Sequence, residues 1–287
     1  MTKKILITGA TGYIGSHLTK KLCDCGCIVT GIDYNLNQND ISKYAEKVIY
    51  WDIRENKRVT KDNYDCVIHL AARTKVSESV LFPYDFYHTN IIGTQNVIDN
   101  LEFDNFIYSS TGAAFQPETS PYAMSKRAGE DLVKLLDKFS ICRFYNVSGN
   151  NGFNKFDDGH YHLIRTAAAV VNGIYDKIQI FGTDYPTRDG TTIRNYTHVD
   201  DITEAVKNLV LNGPTNNIEC LGNTKGYTVL EVIKMMEKVS KKSINLEMSS
   251  RRPGDSIESL LPNQSKYFKE LYTLEDQCIS ALENELK

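Results

Sequence analysis

The sequence predicts an α/β protein, a doubly wound parallel sheet with a smaller C-terminal cap, and three observations predict it. Apolar runs alternate with helix-length segments through the first half of the chain. A glycine-punctuated turn joins the first run to the first helix. Past Asn146 the alternation breaks down into loops and short helical patterns. The expected division is a sheet-forming domain over 1–146 and a cap over 147–287, some segments of which return to the sheet.

The first element is Ile5–Gly15, I-L-I-T-G-A-T-G-Y-I-G, with glycines at Gly9, Gly12 and Gly15. Ile14, Leu18 and Leu22 then repeat at helical spacing, so the stretch reads as buried strand, tight turn and helix. Such a turn lets a pyrophosphate approach the backbone and aims the free N–H groups of the helix at it. A second run, Cys27–Ile32, ends in Asp33, roughly 20 residues on, where a carboxylate accepts the ribose hydroxyls of NAD and repels the extra phosphate of NADP. Val48–Trp51 is the third expected strand, followed by Asp52-Ile53-Arg54, and Cys66–Leu70 the fourth, ending in His69-Leu70-Ala71-Ala72. A helix carrying Tyr87, Ile91, Thr94 and Ile98 follows, then strands at Phe106–Ser109 and Ile141–Tyr145. Ligands on such sheets sit at the carboxyl ends of the strands, which is where Asp33, Asp52, Ala71, Ala72 and Ser110 fall. In the second half, Asn150–His160 and Asp184–Thr192 read as loops and Ile178–Phe181 as a short strand. Helices are expected at Leu163–Val171, after Val199-Asp200-Asp201, from Thr228 (a capping box with Glu231) to Val239, and through Leu274, Cys278, Leu282 and Leu286.

Composition narrows the function. A 287-residue chain with 41% hydrophobic residues can bury a full core, and a net charge of −3 without a basic block argues against nucleic acid or an anionic membrane as partner. No apolar run is long enough to span a bilayer, and no signal-peptide pattern is read at the start, so a cytoplasmic protein is expected. Seven irregularly spaced cysteines do not make a disulfide framework; Cys23, Cys25 and Cys27 lack further ligands nearby and are expected as buried reduced thiols, with no metal.

The chemistry points to Tyr122 and Lys126, four residues apart on one face of a helix that begins at Pro121. A phenol titrates near 10, and an ammonium about one turn away favours the phenolate. Such a pair suits removal of a proton from a sugar hydroxyl while hydride leaves the same carbon, with Lys126 also able to bond the nicotinamide ribose. Ser109-Ser110-Thr111 lies at a strand end just upstream, where Thr111 would hydrogen-bond the reacting oxygen or serve as an ordinary turn cap.

Together these motifs resemble the extended short-chain dehydrogenase/reductases, whose sheet is the Rossmann type, and within them the UDP-galactose (UDP-glucose) 4-epimerases. The glycine turn, Asp33, Asp52-Ile53, His69-Leu70-Ala71-Ala72, Asn90-x-x-Gly93-Thr94, Ser109-Ser110-Thr111 and Tyr122/Lys126 match the wider group. Ile180–Gly190, Arg194–Val199 and Arg251–Asp255 are similar to the nucleotide-binding segments of the epimerases. The resemblance implies NAD held by Gly9, Gly12, Tyr13, Ile14, Gly15, Asp33, Asn35, Asp52, Ile53, Leu70, Ala71, Ala72, Asn90, Ser109, Tyr122 and Lys126. It also implies a UDP-sugar with its uracil on Phe181 and its diphosphate on Arg194, Arg252 and Asn146. Asp255 would hold a ribose hydroxyl or orient an arginine, and Thr111, Leu163 and Gln179 complete the substrate set. Counting from Asp255 places Ser259 at the wall beside the sugar 2-substituent, where a small residue admits an N-acetyl group.

The implied activity is 4-epimerisation of UDP-hexoses through a transient 4-keto sugar, an isomerase reaction. Other readings stay open. A 4,6-dehydratase or a reductase shares the first step, but Gly112 and Ala113 stand where a dehydratase carries an acid pair; a non-catalytic NAD sensor would need neither Tyr122 nor Lys126. The family also implies a homodimer through the helix around Tyr87–Leu101 and the one carrying Tyr122, with Phe86, Ile91, Ile98, Leu132, Leu135 and Leu136 as available faces. The sequence departs from the family in the short connection from Thr111 to Tyr122, in Thr74-Lys75, and in Tyr161-His162 where an asparagine pair is usual.

Overall fold

Ile5, Leu6 and Ile7 are completely buried, and the strand that contains them, Lys4–Thr8, is an interior strand of a seven-stranded sheet. In the computed structural model, which describes residues 2–153, 162–252 and 255–284, this strand pairs in parallel with Ile28–Asp33 on one side and Cys66–His69 on the other. Lys47–Tyr50 extends the first side, and Phe106–Thr111, Phe139–Phe144 and Ile218–Leu221 extend the second. The doubly wound parallel sheet expected from the sequence is thus present, the third strand ending one residue earlier than its pattern suggested, at Tyr50. Thr8, Asp33, His69 and Thr111 stand at the carboxyl ends of their strands, the edge at which such sheets carry ligands.

The chain divides into two units. Among the described residues the first comprises 2–143 and 203–219, and the second 144–153, 162–202 and 220–284. The first has a core in which Leu6, Ile32, Trp51, Val67, Val97, Phe106, Tyr108 and Ile141 meet. In the second, helices Leu163–Val171, Val229–Ser240 and Leu274–Asn284 bring Ile164, Val171, Ile233, Met236 and Cys278 together beneath Ile178 and Ile180. Its strand Ile193–His198 pairs with Gly226–Thr228, Glu258–Ser259 and Asn146–Ser148, and Ile178–Phe181 pairs with Leu246–Ser249.

Three expectations change. Cys25 is exposed, and Cys23 and Cys27 are only partly buried, because Cys23 sits in the last turn of the helix Tyr13–Asp24, Cys25 caps it and the chain turns at the surface before Cys27. Phe86, expected on an available face, is fully buried; Ile98 and Leu136 pack against the first core, whereas Leu135 is 81% exposed. The tract Tyr87–Leu101 is not one regular helix: Pro83–Tyr87 is followed by a π-helical turn, His88–Ile92, and then by Gly93–Asn100. Most of the loop at Asn150–His160, together with Tyr161, Pro253, Gly254 and Leu286, lies outside the described residues.

Candidate active site

The glycine turn is a close-packed cradle. Gly9 has φ +69°, and a Cβ there would stand 2.8 Å from the Ala71 nitrogen; a Cβ at Gly15 would stand 2.1 Å from the Gly9 carbonyl oxygen. Gly12 is the N-cap of the helix Tyr13–Asp24 and sets no side chain across the helix N-terminus. The positive end of a helix dipole meets a close-packed glycine turn there, so the residues present fit a dinucleotide pyrophosphate. Asp33 is buried at its strand end, where its carboxylate accepts the Thr11 and Asn35 N–H groups, each at 3.1 Å. Asp52 is held by Arg54 at 2.9 and 3.0 Å, which keeps its carboxyl below the usual carboxylate range. Ile53 is buried against Gly93, and its carbonyl accepts the Asn96 amide.

Behind the cradle a polar chain runs from Thr8 through His69 to Asn90. His69 Nδ1 lies 2.7 Å from Thr8 Oγ1 and Nε2 lies 3.1 Å from Thr94 Oγ1, while the Thr94 hydroxyl donates to the Asn90 carbonyl at 2.7 Å. Burial, and then the nearby Lys126 charge, push His69 down to about 3, so the ring is neutral. The Leu70 N–H donates to the Thr8 carbonyl and the Ala71 N–H to Thr8 Oγ1. The Asn90 amide accepts from the Arg73 N–H and donates to the Arg73 carbonyl and Ser125 Oγ, at 2.8 to 2.9 Å. Asn90 therefore ties the loop of Leu70–Arg73, including Ala72, to the helix that carries Tyr122.

That helix is Pro121–Val133, started by Pro121 and capped by Ser120, whose hydroxyl accepts the Ala123 N–H. The short connection before it is taken up by two 3₁₀ turns, Gly112–Phe115 and Pro117–Thr119. Thr111 caps the first of these by accepting from the Ala113 N–H, and its hydroxyl faces Tyr122. Burial raises the Tyr122 phenol and the nearby Thr111 hydroxyl partly offsets this, and Phe86 meets its ring edge-on at 6.4 Å. Lys126 Nζ lies 4.2 Å over the Tyr108 ring; burial lowers it to about 7 against the opposing charge of Glu130. Ser109 is buried in the same strand as Thr111. The sequence reading passes over Glu130, although its spacing from Lys126, four residues on one helix face, was the signal available.

The second unit contains a cavity of about 710 Å³ lined by Asn146, Leu163, Gln179, Phe181, Arg194, Arg252 and Asp255. The Arg252 guanidinium sits 3.6 Å over the Phe181 ring. Arg194 donates to the Ile193 carbonyl at 2.8 Å and the Ser256 carbonyl at 2.9 Å; burial lowers its pKa, and Asp255 opposes that. Asn146 donates to the Asn195 carbonyl and Gln179 to Ser249 Oγ. His162, Tyr175 and Lys177 also line the cavity. Ser259 pairs with Arg194 in a short parallel ladder and is not among the lining residues.

A glycine cradle on a parallel sheet, with a strand-end threonine beside the tyrosine of a Tyr-x-x-x-Lys helix, defines a short-chain dehydrogenase/reductase. The sequence profile of the NAD dependent epimerase/dehydratase family matches residues 5–219, and the chain belongs to that family. It is 32% identical to a UDP-glucose 4-epimerase of Halalkalibacterium halodurans over 91% of this chain and 87% of that one. A UDP-glucose 4-epimerase of Bifidobacterium longum, solved with NAD+ and UDP, superposes with a TM-score of 0.89 at 27% identity, covering 99% of this chain and 98% of that one. A UDP-Glc/GlcNAc 4-epimerase of Campylobacter jejuni superposes with a TM-score of 0.78 at 31% identity, covering 99% of both chains.

Proposed function

We propose that this chain is an NAD-dependent 4-epimerase of UDP-hexoses, interconverting UDP-glucose and UDP-galactose. The observation that carries the reading is the strand-end Thr111 beside Tyr122, on a helix that also carries Lys126. The residues after Thr111, Gly112 and Ala113, have no group able to transfer a proton, so elimination of water lacks its acid and base.

In this reading the glycine turn, the Tyr13 and Ile14 N–H groups, Asp33 and Lys126 hold the cofactor, which supplies a reversible hydride acceptor when bound. Tyr122 takes the proton of the sugar 4-hydroxyl and gives it back after the sugar has turned its other face. Thr111 bonds the reacting oxygen and the Tyr122 hydroxyl. A Lys126 ammonium favours the phenolate; burial works against both, raising Tyr122 and lowering Lys126. Phe181 offers a flat apolar face to uracil, with Gln179 and Leu163 beside it in the cavity wall, and Arg194 and Arg252 offer guanidinium forks to the diphosphate. Arg252 must leave the face of Phe181 for the base to stack there. Asn146 bonds the diphosphate and Asp255 a ribose hydroxyl.

The same reading extends to N-acetylated sugars, supported by likeness to the UDP-Glc/GlcNAc 4-epimerase of C. jejuni. It places the protein in the cytoplasm, where its free thiols suit a reducing compartment. The assembly is a homodimer. The test is conversion of UDP-galactose to UDP-glucose by the purified protein without added NADH, followed by NMR. Absence of turnover on every UDP-hexose tried, with NAD bound, overturns the proposal.

A further inference from the structure

We propose that Glu130 is the positioning residue of the reaction: its carboxylate ties the helix carrying Tyr122 and Lys126 to the strand end carrying Thr111. The inference rests on Tyr122 and Lys126 being the proton-transfer pair. Glu130 is completely buried, and Ser110, the neighbour of Thr111, donates its hydroxyl to Glu130 Oε1 at 2.6 Å. Arg143 donates to both carboxylate oxygens, Nε to Oε1 and Nη2 to Oε2, each at 2.7 Å. The guanidinium is itself held 4.1 Å over the Phe115 ring, in the 3₁₀ turn that Thr111 caps. One carboxylate thus fastens the strand Phe106–Thr111, the helix Pro121–Val133 and the strand Phe139–Phe144.

A buried ion pair adds little net stability over an apolar replacement of equal volume, but it is directional. The distance from Ser110 to Glu130 therefore sets how the strand end stands against the helix. The approach of Thr111 to Tyr122 depends on the same register.

Glu130 has a second effect. The groups that face Lys126 are the Tyr108 ring, the neutral His69, Tyr122 and, on its own helix, Glu130. Arg127 Nε lies 4.0 Å from Glu130 Oε2 on the exposed side. Glu130 is thus the carboxylate that favours the Lys126 ammonium against burial. Without its charge, Lys126 loses its proton at lower pH.

The test uses the enzyme with its NAD retained and two variants. Ser110→Ala removes the tether and keeps the charge. It is expected to lower kcat about tenfold, with KM for the UDP-hexose and the pH profile unchanged. Glu130→Gln with Arg143→Gln removes both buried charges together and keeps an acceptor for Ser110. It is expected to move the alkaline limb of kcat down by about one pH unit. A kcat for Ser110→Ala within twofold of wild type, or a double-variant profile that superimposes on the wild-type one, overturns the proposal. Should the double variant not fold, Ser110→Ala decides on kcat alone. A fully active Tyr122→Phe enzyme would sink the underlying reading instead. An inactive Tyr122→Phe beside an unaffected Ser110→Ala sinks only the role of Glu130.

Discussion

A methyl group added at residue 15 meets backbone on every side: the Gly9 carbonyl oxygen at 2.1 Å, Ala10 Cα at 2.8 Å and the Gly9 carbonyl carbon at 2.9 Å. None of these can rotate away, so Gly15→Ala must separate the helix from the turn. A cost of at least about 3 kcal/mol is expected, with loss of co-purifying NAD, read by thermal unfolding and by cofactor content. At Gly12 the added carbon meets the Gly9 carbonyl oxygen at 3.2 Å and Gln38 Oε1 at 3.7 Å, so Gly12→Ala should be much milder in thermal unfolding while still costing bound NAD, because the pyrophosphate approaches there. Tyr122→Phe keeps the ring against Phe86 and removes the hydroxyl that faces Thr111. Turnover should vanish while NAD stays bound; surviving turnover would mean that another group moves the proton. His69 carries a pH dependence of stability. Its folded value, about 3, lies below the ordinary 6.5, so the unfolded chain binds the proton first as pH falls. The stability it contributes is full above 6.5 and drains away between 6.5 and 3. His69→Gln should flatten that part of the curve in urea titrations run across the range; an unchanged slope would show that the ring does not titrate there.

The helix Val229–Ser240 shows how an element can be written into a few adjacent residues. Thr228 accepts the Glu231 N–H, and Glu231 accepts the Thr228 N–H in return. Arg188 grips the same carboxylate and, after it, the Thr228 N–H holds Glu231 down at about 2. Thr228→Ala should cost about 1 kcal/mol. The Glu231 contribution, present above the ordinary value of 4.5, is lost as pH falls from there to about 2, and Glu231→Gln should remove that loss. Acid titrations of the two proteins that coincide would refute the second statement. This cap was legible in the sequence because both partners lie within four residues, as were the buried strands of the sheet, whose apolar runs end at turns. Other elements depend on partners far along the chain. Asn146–Ser148 is a strand only because Tyr196–His198 lies beside it, and Leu246–Ser249 only because Ile178–Phe181 does. The π-helical turn at His88–Ile92 leaves no periodic signature. The same limit applies to the site: the spacing of Tyr122 and Lys126 could be read along one helix. The grip of Glu130 on Ser110 and Arg143 joins three elements and needed coordinates. So did the stacking of Arg252 on Phe181.

At the scale of the whole molecule, the apolar surface of the first unit argues for a second copy of the chain. Val80, Leu81, Phe82 and Tyr84 are 63%, 72%, 54% and 84% exposed, and they cluster where Val76–Leu81 passes through Phe82 into Pro83–Tyr87. Met124 and Leu135, from the Tyr122 helix and its end, are exposed as well. Helix Val76–Leu81 and helix Pro83–Tyr87 both pack on helix Pro121–Val133, so these residues belong to one helical layer. A contiguous apolar surface of this kind is uncommon on monomers and marks an interface. A two-fold interface pairs the same surface on both copies, so one charge introduced there is met by its own image. Leu81→Glu is therefore expected to give a monomer by light scattering, with little change in the unfolding of the single chain, because Leu81 touches little of its own core. The wild-type protein should scatter at micromolar concentration as twice the mass of one chain. A wild-type monomer under those conditions would remove the prediction, and a Leu81→Glu dimer would move the interface away from this layer.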